Sequence, residues 1–299
     1  MSVNVEDRTS EMMLGKAALP AKTYAPVGRC IYCGATEWFA QQPRKLGDEH
    51  IIPEGLGGGL VLPEASCKTC EAVTSAVELE WLRGAYYTAR VQKGLGKKKK
   101  KRPPRFLPLQ VNRGGKTVWE QISLEKYPAV IVTLLFDEPE ILSDCIPVEK
   151  VLSGGVAGGT LPTFGQLLKP YLDQGAVTFV PPRSSATSVH LGRMLAKIAH
   201  SYAVAELGIT GFTPFLVDII LGTDTRYLSH YIGGTRDLPP VSDKGYEIKL
   251  TTVTSVGLLP YLVVKIRLLS DVNGMPEYWV VVGERRSSEQ SQHGDPGAV

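Results

Sequence analysis

Two Cys-x-x-Cys pairs are the residues in this sequence whose types and spacing most directly predict chemistry. Cys30 and Cys33 form the first pair, and Cys67 and Cys70 form the second, with 33 residues between the pairs. Four thiolates in two such pairs are the ligand set that a tetrahedral structural zinc ion takes. Thiol–disulfide exchange is the alternative chemistry, but it needs only one pair beside a βαβ pattern, which this sequence lacks. We therefore predict a structural Zn²⁺ at these four cysteines.

Two acidic residues followed by a histidine lie between the cysteine pairs, at Asp48, Glu49 and His50. Hydrolysis of a phosphodiester needs a deprotonated water and a positive charge that offsets the extra negative charge on the phosphate. A histidine, with an ordinary pKa of about 6.5, suits the first task as a general base. A divalent ion held by one or two carboxylates suits the second task. The alternative interpretation of His50 is a structural histidine that only satisfies a hydrogen bond.

The segment from Gly47 to Glu71, GDEHIIPEGLGGGLVLPEASCKTCE, resembles the HNH endonuclease motif in the form that carries two Cys-x-x-Cys pairs. The resemblance covers residues 28–93 and implies the ββα-metal fold of that family. It implies that His50 is the general base and that Glu49 and Glu71 hold one catalytic Mg²⁺ or Mn²⁺ ion. The substrate it implies is DNA, with RNA as an alternative because the same chemistry serves either sugar.

Two departures from the family pattern leave a second function open. Glu71 stands where the family usually has Asn or His, although a carboxylate is a good ligand for a hard metal ion. The middle Asn that orients the histidine ring has no counterpart in the segment LVLPEAS, so a backbone carbonyl would have to orient His50. The alternative function is a zinc-stabilised nucleic-acid-binding protein whose site is not catalytic.

A run of basic residues broken by two prolines follows the motif. Its members are Lys97, Lys98, Lys99, Lys100, Lys101, Arg102 and Arg105. Like charges at this density cannot pack together and stay solvated. We predict an arm that contacts nucleic-acid phosphates, and whose affinity falls with salt and carries no sequence information. A flexible linker and a nuclear targeting signal are the alternatives.

Composition supports a nucleic-acid partner and excludes a membrane span. The chain has 299 residues, 43% of them hydrophobic, which is enough for two domains with cores of their own. Residues 1–110 carry 17 Lys and Arg against 11 Asp and Glu, so the basic excess falls on the part that holds the motif. The first ten residues are polar, and the longest apolar run, Ala129–Phe136, is too short to cross a bilayer. We expect a reducing, cytoplasmic setting and no membrane partner.

The elements that must position these residues can also be predicted. Within the motif we expect a strand ending at His50, a glycine turn, a strand at Leu60–Leu62 and then a helix. Ser66 is the predicted N-cap of this helix, and Gly94 its end. In the second half we predict strands, a long helix and a C-terminal hairpin. These elements are Val130–Phe136, Ala176–Val180, the helix Thr187–Leu207, and the hairpin strands Tyr261–Leu269 and Tyr278–Val282.

The predicted fold class is α+β, with a small zinc-stapled ββα-metal (HNH) domain followed by a larger mixed α/β C-terminal domain. The predicted parts are a leader at 1–24, the zinc-bound HNH domain at 25–94, a basic linker at 95–108, an α+β domain at 109–284 and a polar tail at 285–299. The role predicted for residues 109–284 is recognition, dimerisation or regulation. A homodimer is therefore one of the expected assemblies.

Overall fold

A computed structural model of the chain describes residues 17–38, 45–95, 104–131, 133–143, 156–160, 163–165, 187–254 and 260–285. It shows a mixed α/β protein with few helices and several sheets, which confirms the predicted fold class at this level. Most of the predicted leader, the basic run up to Arg102, the predicted strand Ala176–Val180 and almost all of the tail lie outside the described residues. No helix in the described ranges has the length and apolar character that a bilayer span requires.

A three-stranded sheet carries the predicted histidine. Strands β1 (Ala21–Thr23), β2 (Gly47–His50) and β3 (Gly59–Ser66) follow the order β1-β3-β2. Strands β2 and β3 are antiparallel, whereas β1 joins β3 in parallel. The bend between β2 and β3 requires glycine, because Gly57 has a φ of 80° and a Cβ at Gly58 would lie 1.9 Å from a backbone oxygen. Strand β3 is longer than the predicted Leu60–Leu62.

A helix follows β3 directly and completes a strand–strand–helix order. Helix α1 (Lys68–Arg83) has Cys67 as its N-cap, not Ser66 as predicted, because β3 continues through Ser66. The predicted extension of this helix to Gly94 is also wrong. The backbone leaves helical geometry at Gly84, and a separate short helix, α2 (Tyr87–Gln92), follows.

Three antiparallel strand pairs occupy the middle of the chain. The first is a hairpin whose strand β4 begins inside the predicted linker. The pairs are β4 (Phe106–Arg113) with β5 (Lys116–Ser123), β6 (Pro128–Val130) with β9 (Thr163–Gly165), and β7 (Thr133–Phe136) with β8 (Val156–Thr160). The single strand predicted at Val130–Phe136 is therefore divided between β6 and β7.

The long helix α3 (Ser188–Leu207) confirms the predicted helix. Its N-terminus has a capping box, in which the Thr187 hydroxyl accepts the His190 backbone N–H and the His190 ring accepts the Thr187 N–H. Most of its side chains are buried. It contacts α1 on one side and the C-terminal sheet on the other.

The C-terminal part of the chain forms a five-stranded antiparallel sheet. Its strands are β10 (Phe212–Pro214), β11 (Ile232–Gly234), β12 (Tyr246–Val253), β13 (Tyr261–Leu268) and β14 (Tyr278–Arg285). The pairing of β13 with β14 confirms the predicted hairpin. Short helices α4 (Val217–Leu221) and α5 (Leu228–Tyr231) lie between the first of these strands. One buried apolar cluster extends from the cysteine-bearing segment through α3 to this sheet.

Candidate metal centre and histidine site

The four predicted zinc ligands converge. The Sγ atoms of Cys30, Cys33, Cys67 and Cys70 all lie within 4.8 Å of one another, and those of Cys33 and Cys67 are 3.6 Å apart. A tetrahedral zinc ion with Zn–S bonds of about 2.3 Å needs sulfur atoms roughly 3.8 Å apart. The first pair lies on a turn that follows β1, while Cys67 and Cys70 belong to the first turn of α1. These four residues could therefore hold a zinc ion.

The electrostatics of the cluster favour a bound cation. Hydrogen bonding from Cys70 lowers the pKa of Cys30 to about 4, whereas the pKa of Cys70 is raised, first by its bond to Cys30. Burial raises the pKa of Cys33. A neighbouring thiol thus stabilises one thiolate. Deprotonation of the other cysteines is unfavourable, because burial and the charge of the first thiolate both oppose it. A metal ion at the centre removes this opposition because it supplies the missing positive charge.

His50 ends strand β2 with its ring held on one side only. Its Nε2 lies 2.9 Å from Oε1 of Glu54, and its side chain is 32% exposed. A short 3₁₀ helix, Glu54–Leu56, begins after Pro53 and brings the Glu54 carboxylate back to the ring. Nδ1 is buried and has no hydrogen-bond partner among the residues that the structure describes. When Nε2 carries the ring proton and donates it to Glu54, Nδ1 has a lone pair that can accept a second proton.

The group that contacts this ring is thus a carboxylate and not the backbone carbonyl expected from the sequence. Glu54 was not among the predicted site residues. The available signal was its spacing of four residues from His50, with Pro53 between them to turn the chain.

Glu49 points away from His50, because successive side chains of a strand project to opposite faces. It is buried, and its Oε1 lies 2.5 Å from Nζ of Lys197 in the middle of α3. The same ammonium lies 2.7 Å from Oε1 of Glu78 on α1 and donates to the carbonyl oxygen of His50. Burial alone would lower the pKa of Lys197, but the two carboxylates raise it above its ordinary value. Lys197 is therefore a buried cation, and sequence reasoning missed it.

Glu71 lies in the first turn of α1, as predicted, and its buried Oε2 has no hydrogen-bond partner within the described ranges. Across the part of the chain that the structure describes, the four cysteines form the one group of three or more potential ligands that could hold a metal ion. Glu49, His50 and Glu71 do not form such a group. The structure thus brings the zinc ligands together and gathers Glu49 and Glu78 around a lysine.

Of the predicted phosphate-contacting arm, only Arg105 is described, and it is exposed immediately before β4. The other basic residues, from Lys97 to Arg102, lie outside the described ranges, so their role stays a prediction. Arg90, which the sequence places near the end of the motif, is a structural residue. Its guanidinium donates to the carbonyl oxygens of Gly55 and Leu82.

Comparisons of this chain with protein-family models, with curated proteins and with solved structures find no match. The resemblance to HNH endonucleases therefore rests on the motif residues themselves. The structure adds a strand–strand–helix order and four clustered cysteines, which by themselves identify no family.

Proposed function

We propose that this protein is an HNH-type endonuclease that hydrolyses phosphodiester bonds in DNA, with His50 as its general base. The observation that carries the proposal is the contact between His50 Nε2 and Glu54, with no partner for Nδ1 in the described part of the chain. This histidine ends the first strand of a strand–strand–helix unit closed by four cysteines, as the resemblance implies.

The chemistry assigned to the two side chains follows from their contact. Nδ1 of His50, which is buried here, would take a proton from a water molecule admitted with the substrate. The water oxygen attacks phosphorus, the bond to the leaving oxygen breaks, and the leaving oxygen takes a proton from solvent. The imidazolium that forms is stabilised by the Glu54 carboxylate through Nε2–H. Because Glu54 also holds the ring through Nε2, the ring would lose little conformational freedom when the substrate binds.

We assign the four cysteines to a structural Zn²⁺, which would tie the turn at Cys30–Cys33 to the start of α1. Thiolate ligation of this kind suits a reducing compartment such as the cytoplasm. It would also keep β2 and β3 in place against the helix. The zinc would lie apart from the reaction and take no part in it.

A divalent ion, Mg²⁺ or Mn²⁺, would offset the charge on the phosphate when bound. Glu71 is the predicted residue that would hold it, because its Oε2 has no hydrogen-bond partner among the described residues. Glu49 does not fit it in this arrangement, because Lys197 pairs with its carboxylate. The predicted site in which Glu49 and Glu71 share one divalent ion is therefore not used in the proposed mechanism.

The test is conversion of supercoiled plasmid to nicked or linear DNA by zinc-loaded protein with Mg²⁺ or Mn²⁺. Loss of a general base costs about 10²–10⁴-fold in rate, so His50→Ala should be almost inactive. His190→Ala, a change of the same type at the start of α3, is the matched control and should remain active. Equal cleavage by wild type and His50→Ala would exclude His50 as the base, and matched RNA substrates would show which nucleic acid is cut.

The second candidate function is a zinc-stabilised nucleic-acid-binding protein with a non-catalytic site. The pairing of Glu49 with Lys197 favours it, because it removes one of the two expected metal-binding carboxylates. This candidate predicts salt-sensitive binding of DNA without turnover in any divalent metal. Cleavage that depends on His50 would eliminate it.

If the protein does cleave plasmid, linear product that rises with protein concentration would indicate a homodimer.

A further inference from the structure

Three oxygen atoms from two separate elements converge on one lysine. Glu49 Oε1 and the His50 carbonyl oxygen come from β2, Glu78 Oε1 comes from α1, and all three contact Nζ of Lys197. The side chains of Lys197, Glu49 and Glu78 are 4%, 6% and 16% exposed. The ammonium therefore sits at the centre of a mostly buried pocket of oxygen atoms.

Two carboxylates and a carbonyl are the type of donor set that binds hard divalent cations. Such a buried set needs a positive charge or protonation of a carboxylate, because uncompensated carboxylates away from water are costly. Burial raises the pKa of Glu78, and Lys197 opposes that shift. An ammonium is a compact point charge on a long stem. Lys197 reaches the pocket from α3, far along the sequence, and a metal ion cannot occupy the same place.

We propose that Lys197 is a tethered cation that takes the place of a divalent ion at Glu49, Glu78 and the His50 carbonyl, and so excludes metal from this pocket. Removing the ammonium converts the three oxygens into a divalent metal site. The inference concerns the strand that ends in the proposed catalytic histidine, but it stands on the geometry of the pocket and does not need the protein to be a nuclease.

The test is Mn²⁺ binding to the zinc-loaded full chain, measured by electron paramagnetic resonance of free Mn²⁺. Lys197→Met removes the ammonium and keeps the apolar stem, and it should bind about one Mn²⁺ more per chain than wild type does. Lys197→Arg keeps the charge and should not gain this site. The double variant Lys197→Met/Glu78→Gln should lose it again. Lys265→Met, near Glu277, is the matched control for loss of a lysine elsewhere.

Thermal unfolding gives a second measurement, because Lys197→Met leaves two buried carboxylates without a cation. Mn²⁺ should raise the melting temperature of this variant by more than it raises that of wild type. Equal Mn²⁺ binding by wild type and Lys197→Met would overturn the proposal. So would a Lys197→Met protein that stays unfolded at every Mn²⁺ concentration, because the three oxygens would then have failed to accept the ion. A protein without nuclease activity would still give the predicted result, so the two proposals fail separately.

Discussion

Nζ of Lys197 lies 2.5 Å from Oε1 of Glu49, although the two residues belong to opposite halves of the chain. The ion pair joins the middle of α3 to strand β2, one residue before the proposed catalytic base. Through Glu78, the same lysine also joins α3 to α1. The strand–strand–helix unit is therefore fixed on a helix that the sequence motif does not contain.

Loss of this lysine should destabilise the fold strongly. Lys197→Met leaves buried carboxylates without their cation, a change that typically costs about 3–5 kcal/mol in free energy of unfolding. Urea denaturation of the zinc-loaded, otherwise metal-free protein measures it. The control is Lys45→Met, which breaks the exposed pair with Glu64 and should change stability little. Similar losses in the two variants would contradict the role assigned to Lys197.

Zinc binding should depend on each cysteine of the cluster. Elemental analysis of the purified protein should find about one zinc per chain, and Cys70→Ser should reduce this content. The control is Cys145→Ser, at the fifth cysteine of the sequence, which lies outside both Cys-x-x-Cys pairs. Chelation should also lower the melting temperature of wild type, because binding of the metal contributes to folding. A chain that folds without metal and is insensitive to chelators would show that the cluster does not need zinc.

His230 should contribute to a loss of stability in mild acid, together with His200, whose pKa burial also lowers. Burial lowers the pKa of His230 below 6.5, so the unfolded chain binds a proton more readily than the folded chain. Stability should therefore fall as pH decreases below about 6.5, by at most about 1.4 kcal/mol per pH unit for one group. Denaturation between pH 7 and pH 5 should show a smaller slope for His230→Gln than for wild type. An unchanged slope would indicate that other groups are responsible.

Glu54 should affect the rate of cleavage without affecting zinc content. Glu54→Gln keeps a hydrogen-bond acceptor near Nε2 of His50 but removes the negative charge that stabilises the imidazolium. We expect a loss of activity that is smaller than that of His50→Ala. Glu64→Gln, at a carboxylate that pairs with Lys45 at the surface, is the control. Full activity in Glu54→Gln would remove Glu54 from the proposed mechanism.

The basic run should contribute to affinity for nucleic acid through charge alone. Replacing Lys97, Lys98 and Lys99 with alanine should weaken DNA binding at low salt for every sequence tested. Because each phosphate contact contributes roughly one unit to the slope of log K against log salt, the slope should also decrease. Binding titrations at several salt concentrations measure both effects. Equal slopes for variant and wild type would show that these lysines do not touch phosphate.

Local patterns allowed the cysteine cluster, helix α3 and the C-terminal hairpin to be predicted. Each depends on spacing within a short segment: two Cys-x-x-Cys pairs, an apolar repeat closed by Gly208, and an Asn273-Gly274 turn between apolar runs. The end of α1 was not predicted, because the apolar pattern in the sequence continues past Gly84. The backbone, in contrast, leaves helical geometry at Gly84.

The pocket around Lys197 could not be predicted because its members are distant in the sequence. A lysine within an amphipathic helix is usually one whose charge reaches solvent. Only the packing of α3 against α1 and β2 shows that the charge is enclosed by Glu49 and Glu78. Glu49 was predicted to bind a metal ion because nothing in the sequence indicates its contact with Lys197.

The most direct measurement of the central proposal is the rate of DNA nicking by His50→Ala under single-turnover conditions, with zinc content matched to wild type. A general base at His50 predicts a rate about 10²–10⁴-fold below that of wild type, with unchanged affinity for DNA. A wild-type protein that binds DNA but never cuts it, or a variant that cuts as fast as wild type, would contradict the account.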